Sequence, residues 1–386
     1  MSQTIATGSG VVLNLIRSGE ATTRGSLLDR LGWSRVTLGR RLDELTAAGY
    51  VVRAGTTASG GGRPRDEFTV NPEHGLILAI DIGSSHSRVA VTDAVGTVLR
   101  EDEADIGLFE GPDEIFSWAM QVFTFLLRAI DRPVSDVRGV GIGVPGPVDS
   151  SSGRLSSPQL DPRWDGVRVA DYLSGLGEDL VVAVDRDVNI LALGEARLGW
   201  PEHRDLVVVK VGIGVGCAFV LDGTVHRGSR GGAGQLSAPL RERLSEPLRR
   251  LETVASGATM RGELLRIGER LRTSSDIVAL IRSGHTEATA LAVEIGEVIG
   301  YALADVVGLL NPSAVVIGGN LSESGDVFIG AIRRTLFGAA HDFSRQGLVV
   351  EQARLADKAG VRGASLLAQD ALFDANRISS LTRLAL

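Results

Sequence analysis

The run Gly60-Gly61-Gly62-Arg63-Pro64-Arg65 constrains this chain more than any other stretch. It lies directly after a helical head and directly before Leu76-Ile77-Leu78-Ala79-Ile80-Asp81-Ile82-Gly83, an apolar strand that ends on a glycine. Pro64 fixes the backbone between two arginines, and the glycines let the chain approach another backbone closely. A rigid basic hook at this junction points to a DNA reader fused to a much larger second part.

A chain of 386 residues is too long for one ordinary core, so two or three domains are expected. No apolar run reaches the length of a membrane span, and Met1-Ser2-Gln3-Thr4 lacks the plan of a signal peptide. A cytoplasmic protein without a membrane partner is expected. The single cysteine, Cys217, excludes an internal disulfide and a cysteine-built zinc site. The six histidines form no i, i+4 pair, so no metal is expected. The net charge of −7 is unevenly spread: residues 1–70 hold nine Arg against six Asp and Glu, net +3, so the rest carries −10. A small basic head on an acidic body is a nucleic-acid binder's asymmetry. Only Lys210 and Lys358 are lysines; the other basic residues are arginines.

In the head, Val11, Val12, Leu13, Leu15 and Ile16 begin a first helix that stops near Gly19. Thr22 or Thr23 caps a second, with Leu27, Leu28 and Leu31 inward, and Gly32 allows a tight turn. Ser34 caps a third, whose inward face is Leu38, Leu42 and Leu45. Arg35, Thr37, Arg40 and Arg41 lie on or near its opposite side, as in a recognition helix entering a major groove. Residues 50–53 and 67–70 read as two strands, and the loop between them carries Arg63 and Arg65, suited to a narrow minor groove. The head is thus expected to be a winged helix-turn-helix; a three-helix protein-interaction module is the alternative.

Beyond residue 76 the pattern alternates strands, helices and Gly-rich turns, an α/β body in two lobes. Strands are expected at 77–82, 87–92, 98–102, 137–144, 180–184, 206–211, 217–221 and 314–319, with a helix over 189–198. Five motifs occur in order: Asp81-Ile82-Gly83, Gly141–Asp149, Asp187-Val188-Asn189 with Gly194-Glu195, Gly212-Ile213-Gly214, and Gly318-Gly319. In this order they resemble the ROK family of repressors and sugar kinases, and the winged head resembles its repressor branch. The resemblance implies a two-lobed actin-like ATPase fold behind the head. The expected domains are 1–72 for the head, 73–190 for the N-terminal lobe and 191–386 for the C-terminal lobe, with the last helix free to return to the N-terminal lobe.

The resemblance also implies roles. An Asp at the position of Asp187 is the family's general base, taking a sugar hydroxyl proton as the oxygen attacks the γ-phosphate. Asp81, Gly83, Ser85, Gly212, Gly214, Gly318 and Gly319 match nucleotide-loop positions, and Gln159, Arg186, Gln235 and Glu252 fall at ligand positions. Several matches are altered. Ser84 adds a side chain to the first loop. Lys210-Val211-Gly212 is set against the second loop's Gly-Thr-Gly, so Val211 removes a phosphate contact. Gln159 and Arg186 replace sugar-contacting amides, Gln235 replaces a carboxylate, Ala238 replaces a histidine of the family's zinc site, and no cysteine cluster follows.

The expectation is a sugar-responsive regulator, a repressor that binds operator DNA as a homodimer or homotetramer, with a vestigial base at Asp187, no turnover and no cofactor. Arg186 suggests a phosphorylated or acidic sugar, against a salt bridge to Asp185, Asp187 or another acid. A working sugar kinase with a regulatory head is the runner-up. A DNA binder whose body no longer takes a ligand is the third reading.

Overall fold

The computed structural model describes residues 8–57, 65–149, 152–155, 161–177, 179–236, 251–271 and 273–384. Gln159, Arg63, Pro64 and the segment around Ala238 lie outside these residues.

The head has three helices, α1 (Ser9–Arg17), α2 (Arg24–Leu31) and α3 (Arg35–Ala47), and an antiparallel hairpin, β1 (Val51–Thr57) and β2 (Arg65–Val70). Thr23 caps α2: its hydroxyl accepts from Ser26 N–H, and the Thr23 N–H donates back to Ser26 Oγ at 3.0 Å. Gly32, in the left-handed region at φ 66°, closes that helix. Ser34 Oγ accepts from Thr37 N–H at 3.1 Å and starts α3, whose Leu38, Leu42 and Leu45 are buried. Arg65 opens β2 opposite Thr57.

The body holds two five-stranded sheets of the same topology. β3 (Leu76–Ile82), β4 (Ser87–Asp93) and β5 (Val98–Ala104) form an antiparallel meander; β6 (Val137–Val144) and β7 (Val181–Arg186) add in parallel, giving the order β5-β4-β3-β6-β7. The second sheet repeats this with β8 (Leu206–Val211), β9 (Val215–Leu221) and β10 (Thr224–His226) in the meander, and β11 (Ala314–Gly318) and β12 (Val349–Gln352) parallel to β8, in the order β10-β9-β8-β11-β12. Helix α4 (Pro112–Ala129) covers the first sheet. There Trp164 is fully buried and its Nε1–H donates to Leu108 O at 2.8 Å. On the second lobe lie α6 (Gly257–Arg266), α7 (Ser274–Arg282), α8 (Thr286–Leu310) and α9 (Asp326–Ala339). Cys217 is a buried strand residue, and burial pushes its thiol up to about 12.

Helix α5 (Asp187–Gly194), continued by a π-helical turn over Glu195–Gly199, joins the lobes. It packs on strands of both sheets, so the expected break at residue 190 falls inside a helix and is corrected. α10 (Ala359–Leu372) lies across β3, β6 and β7 and against α5. The two helices meet backbone to backbone through glycine: a Cβ on Gly363 would stand 1.7 Å from Ile190 O, and one on Gly194 2.5 Å from Ala359 O.

The helix that returns to the N-terminal lobe is thus α10, and the last helix, α11 (Ala375–Leu384), goes further and docks on α1. Val12, Leu13, Leu27, Leu38 and Leu42 share one buried cluster with Ala368, Leu372, Phe373 and Ile378. The crossing is close: Gly10 N–H donates to Ser379 Oγ at 3.2 Å, and a Cβ on Gly10 would lie 2.1 Å from Ala375 O. Apolar burial at this spacing, about 25 cal/mol per Å2, is what holds the head against the body.

Candidate functional site

A cleft of about 880 Å3 opens between the lobes. Its walls are the β3–β4 turn, the turn after β6, the start of α5, the β8–β9 turn, the first turn of α6 and the residues after β11. Ligand sites in α/β folds gather where strands end and helices begin, because backbone groups there are free to face outward. Nine residues singled out in the sequence meet here: Gly83, Ser85, Arg186, Asp187, Gly212, Gly214, Gln235, Glu252 and Gly319. Gly318 stays inside β11 and is buried.

Three glycines show why the turns need them. Gly83 N–H donates to His86 O at 2.9 Å, and a Cβ there would meet that oxygen at 2.5 Å. Gly257 N–H donates to Gly212 O at 2.8 Å, so α6 begins directly on the β8–β9 turn. Gly234, at φ 87°, places Gln235 at the cleft; a Cβ would strike Cys217 O at 2.0 Å. The second turn is therefore Gly212-Ile213-Gly214. Val211, fully buried at the end of β8, is a strand residue and not part of the loop, which corrects the match of Lys210-Val211-Gly212 to it.

The charged centre of the cleft is Lys210. Its Nζ stands 2.9 Å from Asp187 Oδ2 and 3.9 Å from Asp81 Oδ1. Burial opposes the ammonium charge, but Asp187 and Asp81 outweigh it and hold Lys210 above the ordinary lysine range. Burial raises the Asp81 carboxyl, with Lys210 pulling the other way. Asp187 Oδ1 accepts from Val188 N–H at 2.8 Å. Lys210 lies outside the site residues expected from the sequence motifs. The signal was present: a lysine inside a buried strand, in a chain that otherwise uses arginine.

Arg186 is buried, and its Nη1 donates to Ala233 O. Its two nearest acids in sequence are engaged elsewhere. Asp185 accepts from Arg227 Nε at 2.7 Å and Asn189 Nδ2 at 2.6 Å, and Asp187 faces Lys210. The expected alternative, a salt bridge from Arg186 to either, is not formed.

On the head, Arg35 and Arg40 are exposed on the outer side of α3, and Thr37 is half-buried beside Ser34. Val36 is 84% exposed among them, an apolar side chain the sequence reading overlooked. Arg41 turns inward instead: its Nη1 donates to both oxygens of buried Glu44 at 3.1 and 2.9 Å, and Glu44 also accepts from Ser9 Oγ at 2.5 Å. Burial disfavours that carboxylate, but Ser9 and Arg41 overrule it and hold Glu44 below its usual value. Arg41 is thus committed to the head's interior.

Head and body are also joined by an ion pair. Asp370, near the end of α10, accepts from Arg197 at 2.8 and 2.7 Å and from Arg17 of α1 at 2.7 Å. Arg197 belongs to the π-helical turn that continues the helix begun by Asp187. Glu195 of the same turn is fully buried and accepts from Arg354 N–H and Leu355 N–H at 3.1 and 2.8 Å.

A small helical head with a β-hairpin, two lobes of repeated topology and a cleft lined by carboxylates and glycine turns define a two-lobed actin-like body carrying a separate head. The ROK family model matches residues 77–371, and the chain belongs to the ROK family. It is 26% identical over 373 residues to a xylose repressor of Caldicellulosiruptor bescii, covering 92% of this chain and 93% of that one. It is also 26% identical over 314 residues to a glucokinase of Halalkalibacterium halodurans, covering 75% of this chain and 94% of that one. Among solved structures, a ROK family transcriptional regulator described as a homologue of the Escherichia coli Mlc protein superposes with a TM-score of 0.80, at 22% identity over 97% of this chain and 98% of that one. A ROK glucokinase of Streptomyces griseus, solved with glucose and AMPPNP, gives a TM-score of 0.64, at 24% identity over 77% of this chain and all of that one. The xylose repressor and the Mlc homologue cover more than nine-tenths of this chain, and the two glucokinases about three-quarters of it. Among the described residues no helix is long and apolar enough to cross a membrane.

Proposed function

We propose that this chain is a sugar-responsive transcriptional repressor. In this reading the head is a winged helix-turn-helix that binds operator DNA, and the cleft takes a sugar or sugar phosphate without turning it over. The observation that carries the reading is the match to a xylose repressor over 92% of this chain, combined with a head whose core is completed by the body. Arg35, Thr37 and Arg40 would reach base edges and phosphates, with Val36 placed for a thymine methyl. Arg63 and Arg65 would extend the contact through the wing. Two heads on a homodimer would suit a pseudo-palindromic operator.

Ligand binding can act on the head through α5. Closing the lobes on a sugar moves the start of that helix, and Arg197, Asp370 and Arg17 connect its far end to α1. A ligand that favours one lobe arrangement is sufficient to shift DNA affinity. Arg186 gives the cleft a cation beside its sugar-facing amide and carboxylate, which supports a sugar phosphate as one effector class.

Selection of bound sequences from random DNA, followed by anisotropy titration of the selected duplex with pentoses, hexoses and their phosphates, tests the reading. Enrichment of a two-fold site and its release by one of these sugars is expected. ATP-dependent phosphorylation of a sugar, lost in Asp187→Ala, would replace the reading with a kinase.

A further inference from the structure

We propose that Lys210 is a resident cation that takes the place of a divalent metal in the cleft, so that the cleft binds its ligand without metal and Asp187 is withheld from proton abstraction. Three separate elements converge to make the arrangement: Asp81 from the end of β3, Asp187 from the start of α5 and Lys210 from β8 of the opposite lobe. The ammonium sits against the facing oxygens of both carboxylates, Asp187 Oδ2 at 2.9 Å and Asp81 Oδ1 at 3.9 Å. Asp81 Oδ1 is itself buried and accepts no hydrogen bond; Lys210 is the cation within ion-pair distance of it among the described residues, with Arg88 and His86 acting from further off.

Phosphoryl transfer from a nucleotide depends on a divalent ion that neutralises the phosphates. Magnesium requires oxygen ligands at about 2.0–2.1 Å in near-octahedral order. These two carboxylates do not fit such an ion, because the space between them already holds a like charge. Each Asp187 oxygen already has a partner, Lys210 on one and Val188 N–H on the other, so the ammonium competes with a hydroxyl proton for the carboxylate. The residue type agrees with this role. Of 40 basic residues all but Lys210 and Lys358 are arginine, and a lysine supplies a compact point charge on a flexible stem at this position.

Binding of Mn2+ to the full chain, followed by the electron paramagnetic resonance of the free ion, tests this. Wild type is expected to bind no Mn2+ that Asp81→Asn removes. Lys210→Met, with Lys210→Gln as the variant that keeps a polar donor, is expected to bind one Mn2+ per chain at least about 100-fold more tightly. That site should disappear when Asp81→Asn is added. Asp81-dependent Mn2+ binding by wild type overturns the proposal whether or not the variants fold. So does a cooperatively melting Lys210→Met or Lys210→Gln protein that binds no more Mn2+ than wild type. None of these measurements involves DNA or sugar, so failure here is separate from failure of the repressor reading.

Discussion

Replacing Asp370 by Asn should loosen the head from the body while leaving both intact. The substitution keeps side-chain volume and removes the charge shared by Arg17 and Arg197. Asp370 is about a third exposed and the arginines are similar, so each ion pair is worth about 1 kcal/mol rather than a buried-pair value. Only the Arg17 pair crosses from head to body, so its loss gives about 1 kcal/mol, or roughly a 5-fold larger undocked population. Hydrogen exchange of the amides in Ser9–Arg17 and Ala375–Leu384 should rise by about that factor, while exchange in the β3–β6–β7 sheet stays put. Arg17→Ala and Arg197→Ala should each give part of the effect and combine non-additively, because they share one carboxylate. The pH dependence has a definite sign. Burial alone would raise the Asp370 carboxyl, but Arg197 and Arg17 hold it below its ordinary value. Its contribution is therefore full above the ordinary carboxylate value near pH 4 and is lost as pH falls through the lower folded-state value. Unchanged exchange in α1 and α11, or strict additivity of the two arginine variants, would refute the coupling.

Four further outcomes can be checked in the same way. Gly10→Val should destabilise head docking by about 1–3 kcal/mol in urea melts, since even the first added carbon lands on Ala375 backbone. Arg41→Ala should lower head stability by about 1.5–3 kcal/mol because buried Glu44 loses both guanidinium bonds. Arg40→Ala, at an exposed site, should cost less than about 1 kcal/mol but weaken DNA binding in anisotropy titrations. Arg63→Ala with Arg65→Ala should reduce the slope of log affinity against log salt by about 2, and an unchanged slope removes the wing from the interface.

The elements with strong local grammar could be read from the sequence. Ser34 and Thr23 cap the helices they were expected to cap, and Leu38, Leu42 and Leu45 bury as their spacing requires. The Gly-ended strands and their shared cleft were also visible, because a glycine beside a turn marks close backbone approach. What escaped depends on residues far apart in the chain. Arg17 and Asp370 are 353 positions apart, and nothing periodic in either segment announces the pair. Arg41 has the spacing of an outward residue, yet a buried Glu three positions on draws it in. Lys210 looked like one more strand residue until the fold brought two carboxylates from other elements to it.

The seam between α1 and α11 has a consequence for how the protein is made. Helix α1 finds part of its apolar cover, Leu372, Phe373 and Ile378, only after the whole body between them has been made. A nascent or prematurely terminated product would carry Val12 and Leu13 without their C-terminal neighbours. Completion of the head's core is thereby tied to the presence of α10 and α11, and a chain that lacks them leaves α1 without part of its seat.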